Sequence, residues 1–165
     1  MAPTTTHRSR STAQRPRRRR GRQPVSEPVA HGLLDTNTVI LLPQLDDPSM
    51  LPAEPLISTI TLAELSVGPL VATTEEQRGA RQAHVQQAEA DFDALPFDTA
   101  AARAFGRVAA SLRRAGRKTT ARAYDAMIAA VAIANGLPIY TVNPNDFSGI
   151  ADLDVVAIPH PQTAR

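Results

Sequence analysis

The stretch Arg122–Phe147, RAYDAMIAAVAIANGLPIYTVNPNDF, decides the fold. From Ala126 to Ala134 every residue is apolar and none is Gly or Pro; Gly136 and then Pro138 close the run, as a helix C-terminal glycine and a stop do. A helix apolar on nearly all sides is a buried helix. Ile139 to Val142 follows as a short β-prone segment, and Asn143-Pro144-Asn145-Asp146 as a turn. Two carboxylates frame this unit: Asp125 stands immediately before the apolar run, and Asp146 just beyond the C-terminal end of the strand. Open α/β sheets bind their ligands at that edge.

Upstream, Gly32-Leu33-Leu34 reads as a buried strand, Asp35-Thr36-Asn37 as a polar turn, and Thr38–Leu42 as a first helical turn ended by Pro43. Taken alone, Asp35 is an ordinary N-cap. Leu56–Ile60 reads as a second buried strand, with a helix starting near Thr61, where Thr61-x-x-Glu64 has the form of a capping box that accounts for Glu64 structurally. Thr73-Thr74-Glu75-Glu76 opens a further helix, whose one apolar stripe is Val85, Ala88, Phe92 and Leu95. Asp98 caps the next, which shows an apolar face of Ala101, Phe105, Val108, Ala109 and Leu112 and closes on Arg113, Arg114 and Gly116. The basic loop Gly116–Thr120 leads into the stretch quoted first, and Leu153–Ile158 is a last strand. The order β-α-β-α-α-α-α-β-β predicts an α/β fold of three layers, α/β/α, with a central, mainly parallel sheet of about four to five strands covered on both faces.

Composition narrows the chemistry. Of 165 residues 42% are apolar, enough to fill one core, and none is cysteine, which excludes disulfides and thiolate metal sites. A metal ion would be held by oxygen or by one of the four histidines, and a carboxylate site for magnesium or manganese is the natural candidate. The net charge of +2 hides two opposite parts. Residues 1–30 hold eight arginines against Glu27, or +7; the other ten basic residues face fifteen acids, or −5. The arginine-rich extension, residues 1–30, is too poor in large apolar residues to order itself and reads as disordered. It has the charge to hold RNA electrostatically, while the plainer reading is an unstructured extension without a role. It lacks the apolar segment of a secretory or twin-arginine signal, and no apolar run reaches membrane-spanning length; with the absence of cysteine, this points to the cytoplasm and away from a membrane. Translation from Val25 or Val29 is an alternative that mass spectrometry of the native N-terminus decides. The ordered body runs over residues 31–160, and 161–165 are a tail.

Four carboxylates thus lie at strand–helix junctions or strand ends: Asp35, Glu64, Asp125 and Asp146. Each has a plain structural reading as a cap, a capping box, a helix-start acid or a turn residue. Four at one sheet edge repel one another, and a divalent cation resolves that repulsion and can activate water against a phosphodiester. No glycine-rich phosphate loop, Gly-x-Ser-x-Gly elbow or His-Glu-x-x-His occurs.

These segments resemble, in order and spacing, the four motifs of PIN-domain nucleases, in particular VapC-type toxins of bacterial toxin–antitoxin pairs. They are Leu-Leu-Asp35-Thr36-Asn37, Ile-Ser-Thr-Ile-Thr61-Leu-Ala-Glu64-Leu-Ser-Val-Gly, Asp125-Ala-Met-Ile-Ala-Ala and Thr141-Val-Asn143-Pro-Asn-Asp146-Phe, and the likeness runs from about Gly32 to Pro159. The arginine-rich extension has no counterpart in the family pattern. The resemblance implies a PIN-like fold over 31–160 and an endoribonuclease dependent on Mg2+, or Mn2+. Asp35 and Asp125 would be the central metal ligands, and Glu64 and Asp146 would complete the cluster, one of them orienting the attacking water. Thr36, Asn37, Thr141 and Asn143 would hold water or phosphate oxygens. Arg122, one helical turn before Asp125, would meet the substrate phosphate or pair with an acid of the cluster, and Arg117 with Lys118 would track the RNA. The resemblance also implies a cognate antitoxin lying over the groove and a homodimer, with the Val85/Phe92 helix and its neighbouring helices as candidate contacts. Two rival readings stand beside it: a housekeeping RNA-processing nuclease of the same fold, and a non-catalytic RNA-binding module.

Overall fold

The computed structural model describes residues 31–161. The arginine-rich extension 1–30 and residues 162–165 of the tail, with what was expected of them, lie outside the described residues. Five strands form one parallel sheet: β1 (His31–Leu34), β2 (Glu54–Ser58), β3 (Ala94–Leu95), β4 (Ile139–Thr141) and β5 (Val155–Ala157), in the order β3-β2-β1-β4-β5. The chain starts in the middle, builds outward to one side, then crosses to the other. The C-terminal ends of β1 and β4 therefore flank the point where the strand order reverses, which is where a doubly wound sheet opens a crevice.

Five helices cover the sheet: α1 (Thr36–Leu41), α2 (Thr59–Leu70), α3 (Glu75–Asp91), α4 (Thr99–Arg114) and α5 (Ala123–Asn135). Side chains of consecutive strand residues point to opposite faces, and both faces here are dry. Leu33 and Ile139 pack with α4 and α5, while their neighbours Leu34 and Tyr140 pack with Val39, Leu65, Val85 and Ala88 from α1, α2 and α3. The alternation gives the three-layer α/β/α arrangement expected from the sequence.

α5 is the buried helix that its composition implies, with Ala126, Ile128, Ala129, Ala130, Val131 and Ala132 all inside. Its alanines let α4 approach through Ala101, Ala104 and Val108, and burying Ile128 and Val131 contributes roughly 1.5–3 kcal/mol each. Gly136 ends it at φ 63, a left-handed cap that disfavours any other residue. Asp98 caps α4 through the Ala101 amide, as expected, and Arg113 and Arg114 occupy its last turn.

Two expectations need correction. α2 begins at Thr59, and its cap is Ser58, whose hydroxyl accepts from the Thr61 amide at 3.0 Å; Thr61 is itself buried, so the Thr61–Glu64 capping box does not form and Glu64 is released from a capping role. The sequence pattern misses β3, since two residues carry no periodicity; Leu95 belongs to this edge strand and not to the α3 stripe, and Pro96 stops the strand from lengthening. Val85 and Ala88 turn α3 toward the core, where Phe92 packs beside Val85, and the rest of the helix is largely exposed. The large apolar side chains left exposed near that face are Val67, Leu70 and Val71, at the end of α2.

Gly32 is required by space. A Cβ there would lie 2.4 Å from the ring of buried Tyr140 on the adjacent strand. Gly32→Ala is expected to cost about 1–3 kcal/mol through overpacking, read as a lowered midpoint in thermal unfolding; an unchanged midpoint would mean that the ring moves freely.

Among the described residues no helix is long and apolar enough to cross a membrane.

Candidate active site

Asp35 follows β1 directly and is 3% exposed. Its Oδ1 accepts from the Thr38 amide at 2.9 Å, capping α1, and its Oδ2 accepts from Thr141 Oγ1 at 2.9 Å. The capping and site readings of this residue coexist: the cap holds one oxygen, and the neighbouring strand holds the other. Thr38 Oγ1 in turn accepts from the Val142 amide at 3.1 Å and donates to the Tyr140 carbonyl at 3.3 Å, pinning the end of β4 against α1. Thr38 is fully buried. Its only sequence signal is a hydroxyl one turn after a strand-terminal Asp.

Glu64 sits on α2, half-buried, and accepts a hydrogen bond from Thr36 Oγ1. Asp125 stands in the first turn of α5, where the helix dipole favours a carboxylate. Asp146 lies in a 3-10 turn, Pro144–Phe147, anchored by the fully buried Phe147, and pairs with Arg122. Asp35 and Asp146 follow the C-terminal ends of β1 and β4, Asp125 stands at the start of α5 and Glu64 in the second turn of α2, and Asp125 feels the charges of the other three. Burial pushes the Asp125 carboxyl up to about 6, helped by the negative charges of Asp146, Glu64 and Asp35 and opposed by Arg122. Burial likewise raises Asp35, partly offset by the hydrogen bonds from Thr38 and Thr141. It raises Glu64 too, offset by Thr36, while the charge of Asp35 adds to the rise.

The supporting residues behave differently from expectation. Thr36 and Thr141 were expected to hold water or phosphate; instead they hold Glu64 and Asp35, and Thr141 is fully buried. Arg117, expected to track RNA, also has a structural role: its Nη1 donates to the Asn145 and Ser148 carbonyls at 3.0 and 2.6 Å and to Ser148 Oγ, tying the turn that carries Asp146 to the α4–α5 loop. Of the two roles left open for Arg122, the structure shows the pairing with an acid. The partly exposed Asn37 and Asn143 stand beside the site with no side-chain hydrogen bond among the described residues.

The donor set suits a hard divalent cation: carboxylate oxygens, no sulfur, and negative charge that the protein leaves largely uncompensated. Among the described residues, no three Asp, Glu or His side chains are gathered closely enough to enclose an ion as they stand. The physical reason is visible in their partners. Asp35, Glu64 and Asp146 are each drawn to a separate donor, Thr141, Thr36 and Arg122.

Beside Glu64 a cavity of about 480 Å3 opens between α1, α2 and α3, lined by Thr36, Ile40, Leu65, Gly68, Ala80, Arg81 and His84. Its walls are mainly apolar, and the buried Nε2 of His84 has no hydrogen-bond partner there.

Residues 33–153 match the PIN domain family. The chain is 36% identical to Ribonuclease VapC5 of Mycobacterium tuberculosis over 140 residues, which span 81% of this chain and 100% of the relative. It is 31% identical to Ribonuclease VapC of Rickettsia bellii over 103 residues, 62% of this chain and 75% of that one. Among solved structures it resembles the VapBC-5 toxin–antitoxin structure from M. tuberculosis, with a TM-score of 0.68, 36% identity, and coverage of 78% of this chain and 99% of that one. It also resembles the DNA-bound VapBC structure from Salmonella typhimurium, with a TM-score of 0.63, 28% identity, and coverage of 77% and 96%. The β3-β2-β1-β4-β5 sheet, the acidic edge between β1 and β4 and these likenesses agree: the chain belongs to the PIN-domain family.

Proposed function

We propose that this protein is an endoribonuclease that acts as the toxin of a toxin–antitoxin pair in the cytoplasm and requires Mg2+ or Mn2+. The observation that carries this reading is the set of four mutually repelling carboxylates, Asp35, Glu64, Asp125 and Asp146, at the switch point of a PIN-family sheet. The VapC names of its relatives and the VapBC complexes among its structural likenesses favour the toxin over a housekeeping nuclease.

Asp35 and Asp125 would hold the cation, with Glu64 and Asp146 beside them, and a cation bound there would supply polarisation of the scissile phosphate and a lowered pKa for the attacking water. Glu64, steadied by Thr36 and with its carboxyl raised by burial, is suited to take the proton from that water. Arg122 exchanges Asp146 for the substrate phosphate, to which a guanidinium donates in a charge-assisted pair. Asn37 and Asn143 are left to donate to phosphate oxygens. The antitoxin lies in the apolar cavity beside Glu64, and two copies of the chain meet through the exposed end of α2 at Leu70 and Val71.

The test is cleavage of labelled cellular RNA by purified protein, with and without EDTA, together with growth on induction. Mg2+-dependent cleavage with growth arrest relieved by the product of an adjacent small reading frame is expected. Cleavage without growth arrest would favour the housekeeping reading, and RNA binding without cleavage at any metal concentration would favour the binding module.

Arg122→Gln supplies a separate check. Freed from its pair, Asp146 turns toward the cluster, so Mn2+ affinity measured by calorimetry without RNA is expected to rise about tenfold, as loss of one adjacent positive charge implies. Unchanged affinity would show that the pair does not compete with the cation.

A further inference from the structure

Half of the basic residues outside the arginine-rich extension lie between positions 113 and 122 (Arg113, Arg114, Arg117, Lys118 and Arg122), and two more, Arg103 and Arg107, lie just before them. From Thr99 to Tyr124 there is no Asp or Glu at all. This segment sits in a body whose net charge is negative, so its sign is a local feature and not a reflection of composition. It is also placed with purpose relative to the site: α4 runs to its C-terminus at Arg114, and residues 115–122 then lead straight into the first turn of α5 and Asp125.

On α4, Arg103, Arg107 and Arg114 fall within about 40° of one another around the helix axis, over a helix of about 24 Å. All three are exposed. The side chains of Arg103, Arg107, Arg113 and Lys118 make no ion pair or hydrogen bond with any described residue, and that of Arg114 bonds only Ser111 Oγ at 3.2 Å. Where the stripe ends, a concave surface of about 550 Å3 is lined by Arg113, Arg117, Lys118, Thr119 and Thr120 beside Ala109 and Ala110 of α4. Thus Arg117, fixed by the turn carrying Asp146, joins the basic surface to the acidic one.

We propose that the exposed arginine face of α4 and the basic hollow at its end form a track for the sugar–phosphate backbone of RNA on one side of the scissile bond, delivering it to the carboxylates. The proposal rests on the ribonuclease reading above and adds a substrate-binding surface to it. Phosphates suit unpaired guanidinium groups at helical spacing, and each contact releases condensed counter-ions. A protein partner suits the stripe less well, since interfaces have an apolar centre and none of the exposed large apolar side chains lies on α4. The track also answers how an acidic nuclease body holds a polyanion: attraction is concentrated along one path that ends at the site.

The test replaces the three stripe residues together, as Arg103→Gln, Arg107→Gln and Arg114→Gln in the full chain. These positions are solvent-facing and outside the site, so the fold is kept, which a thermal melt checks. Cleavage is followed on a long labelled RNA that the parent cuts and on a short oligonucleotide covering only its cleavage point. For the long RNA, KM is expected to rise about tenfold at unchanged kcat, and the slope of log binding against log salt to shrink by about two, at 0.7 per contact for three lost contacts. The short oligonucleotide should be cut equally well by both proteins. Unchanged KM and salt slope on the long RNA would overturn the track while leaving the ribonuclease reading intact. Loss of antitoxin neutralisation with RNA kinetics unchanged would likewise overturn it and assign the stripe to a protein. A parent that cuts neither RNA would instead overturn the ribonuclease reading on which the track depends.

Discussion

Asp35→Ala is expected to abolish RNA cleavage and growth inhibition and, in the same molecule, to weaken the fold. Activity should fall by about 10³-fold or more, because the variant loses a carboxylate that the proposed site uses to hold its cation. The stability effect follows from the two donors that Asp35 satisfies. Without it the Thr38 amide loses its cap and the Thr141 hydroxyl is left buried beside the Asn143 amide that it accepts from. Loss of a cap and of a buried acceptor costs about 1–3 kcal/mol, partly returned because the charge is no longer buried. Asp35→Asn separates the two effects: its side-chain oxygen keeps the cap, so it should melt near the parent while remaining inactive. Full activity in Asp35→Ala would remove this residue from the proposed site.

Asp125→Asn should be equally inactive yet more stable than the parent in metal-free buffer at neutral pH. The Asp125 carboxyl is pushed up to about 6, first by burial and then by Asp146, Glu64 and Asp35. A raised folded-state pKa means that the folded protein binds more protons than the unfolded chain between about 4 and 6, so stability falls as pH rises through that window. Asp35 and Glu64 are shifted in the same direction and add to the slope. At pH 7 the ionised Asp125 is therefore a burden, on the order of 1–2 kcal/mol after allowing for its partial exposure to solvent. Thermal melts in EDTA should show the parent gaining stability from pH 7 to pH 5, and Asp125→Asn starting higher with a shallower slope. Added Mg2+ should raise the parent's midpoint at pH 7 and do little for the variant, since a cation that binds the folded state stabilises it by mass action. A parent midpoint independent of both pH and Mg2+ would mean that the acidic cluster is not strained.

Much of this site was legible from the sequence because it is built at element boundaries, and boundaries have chemical signatures. Asp35 after a two-leucine strand, Asp125 before an uninterrupted apolar run and Asp146 in a proline-containing turn all stand where a strand or helix starts or stops. Glu64 was legible too, although for a structural reason that failed: the capping box it suggested is replaced by Ser58, because the helix starts two residues earlier than the sequence pattern placed it. The shell behind the carboxylates was not legible. Thr38, Thr141 and Thr36 reach partners up to 106 positions away, and nothing local distinguishes a hydroxyl that holds a carboxylate from one that faces water. Arg117 shows the same limit in reverse, since a basic loop residue looked free and is bound to a turn 31 positions on.

Hydrophobic patterning by itself therefore determined the α/β class and the buried helix Ala123–Asn135, and the motif resemblance singled out the four acids, since each depends on residues within a few positions of one another. Only the tertiary structure decided the sheet order, the two-residue strand at its edge and the pairing of Arg122 with Asp146. It alone also decided which polar side chains hold the site and which stay open to a ligand. Those outcomes are set by contacts between distant segments, where the energy of burying and pairing charges, not local propensity, chooses among partners.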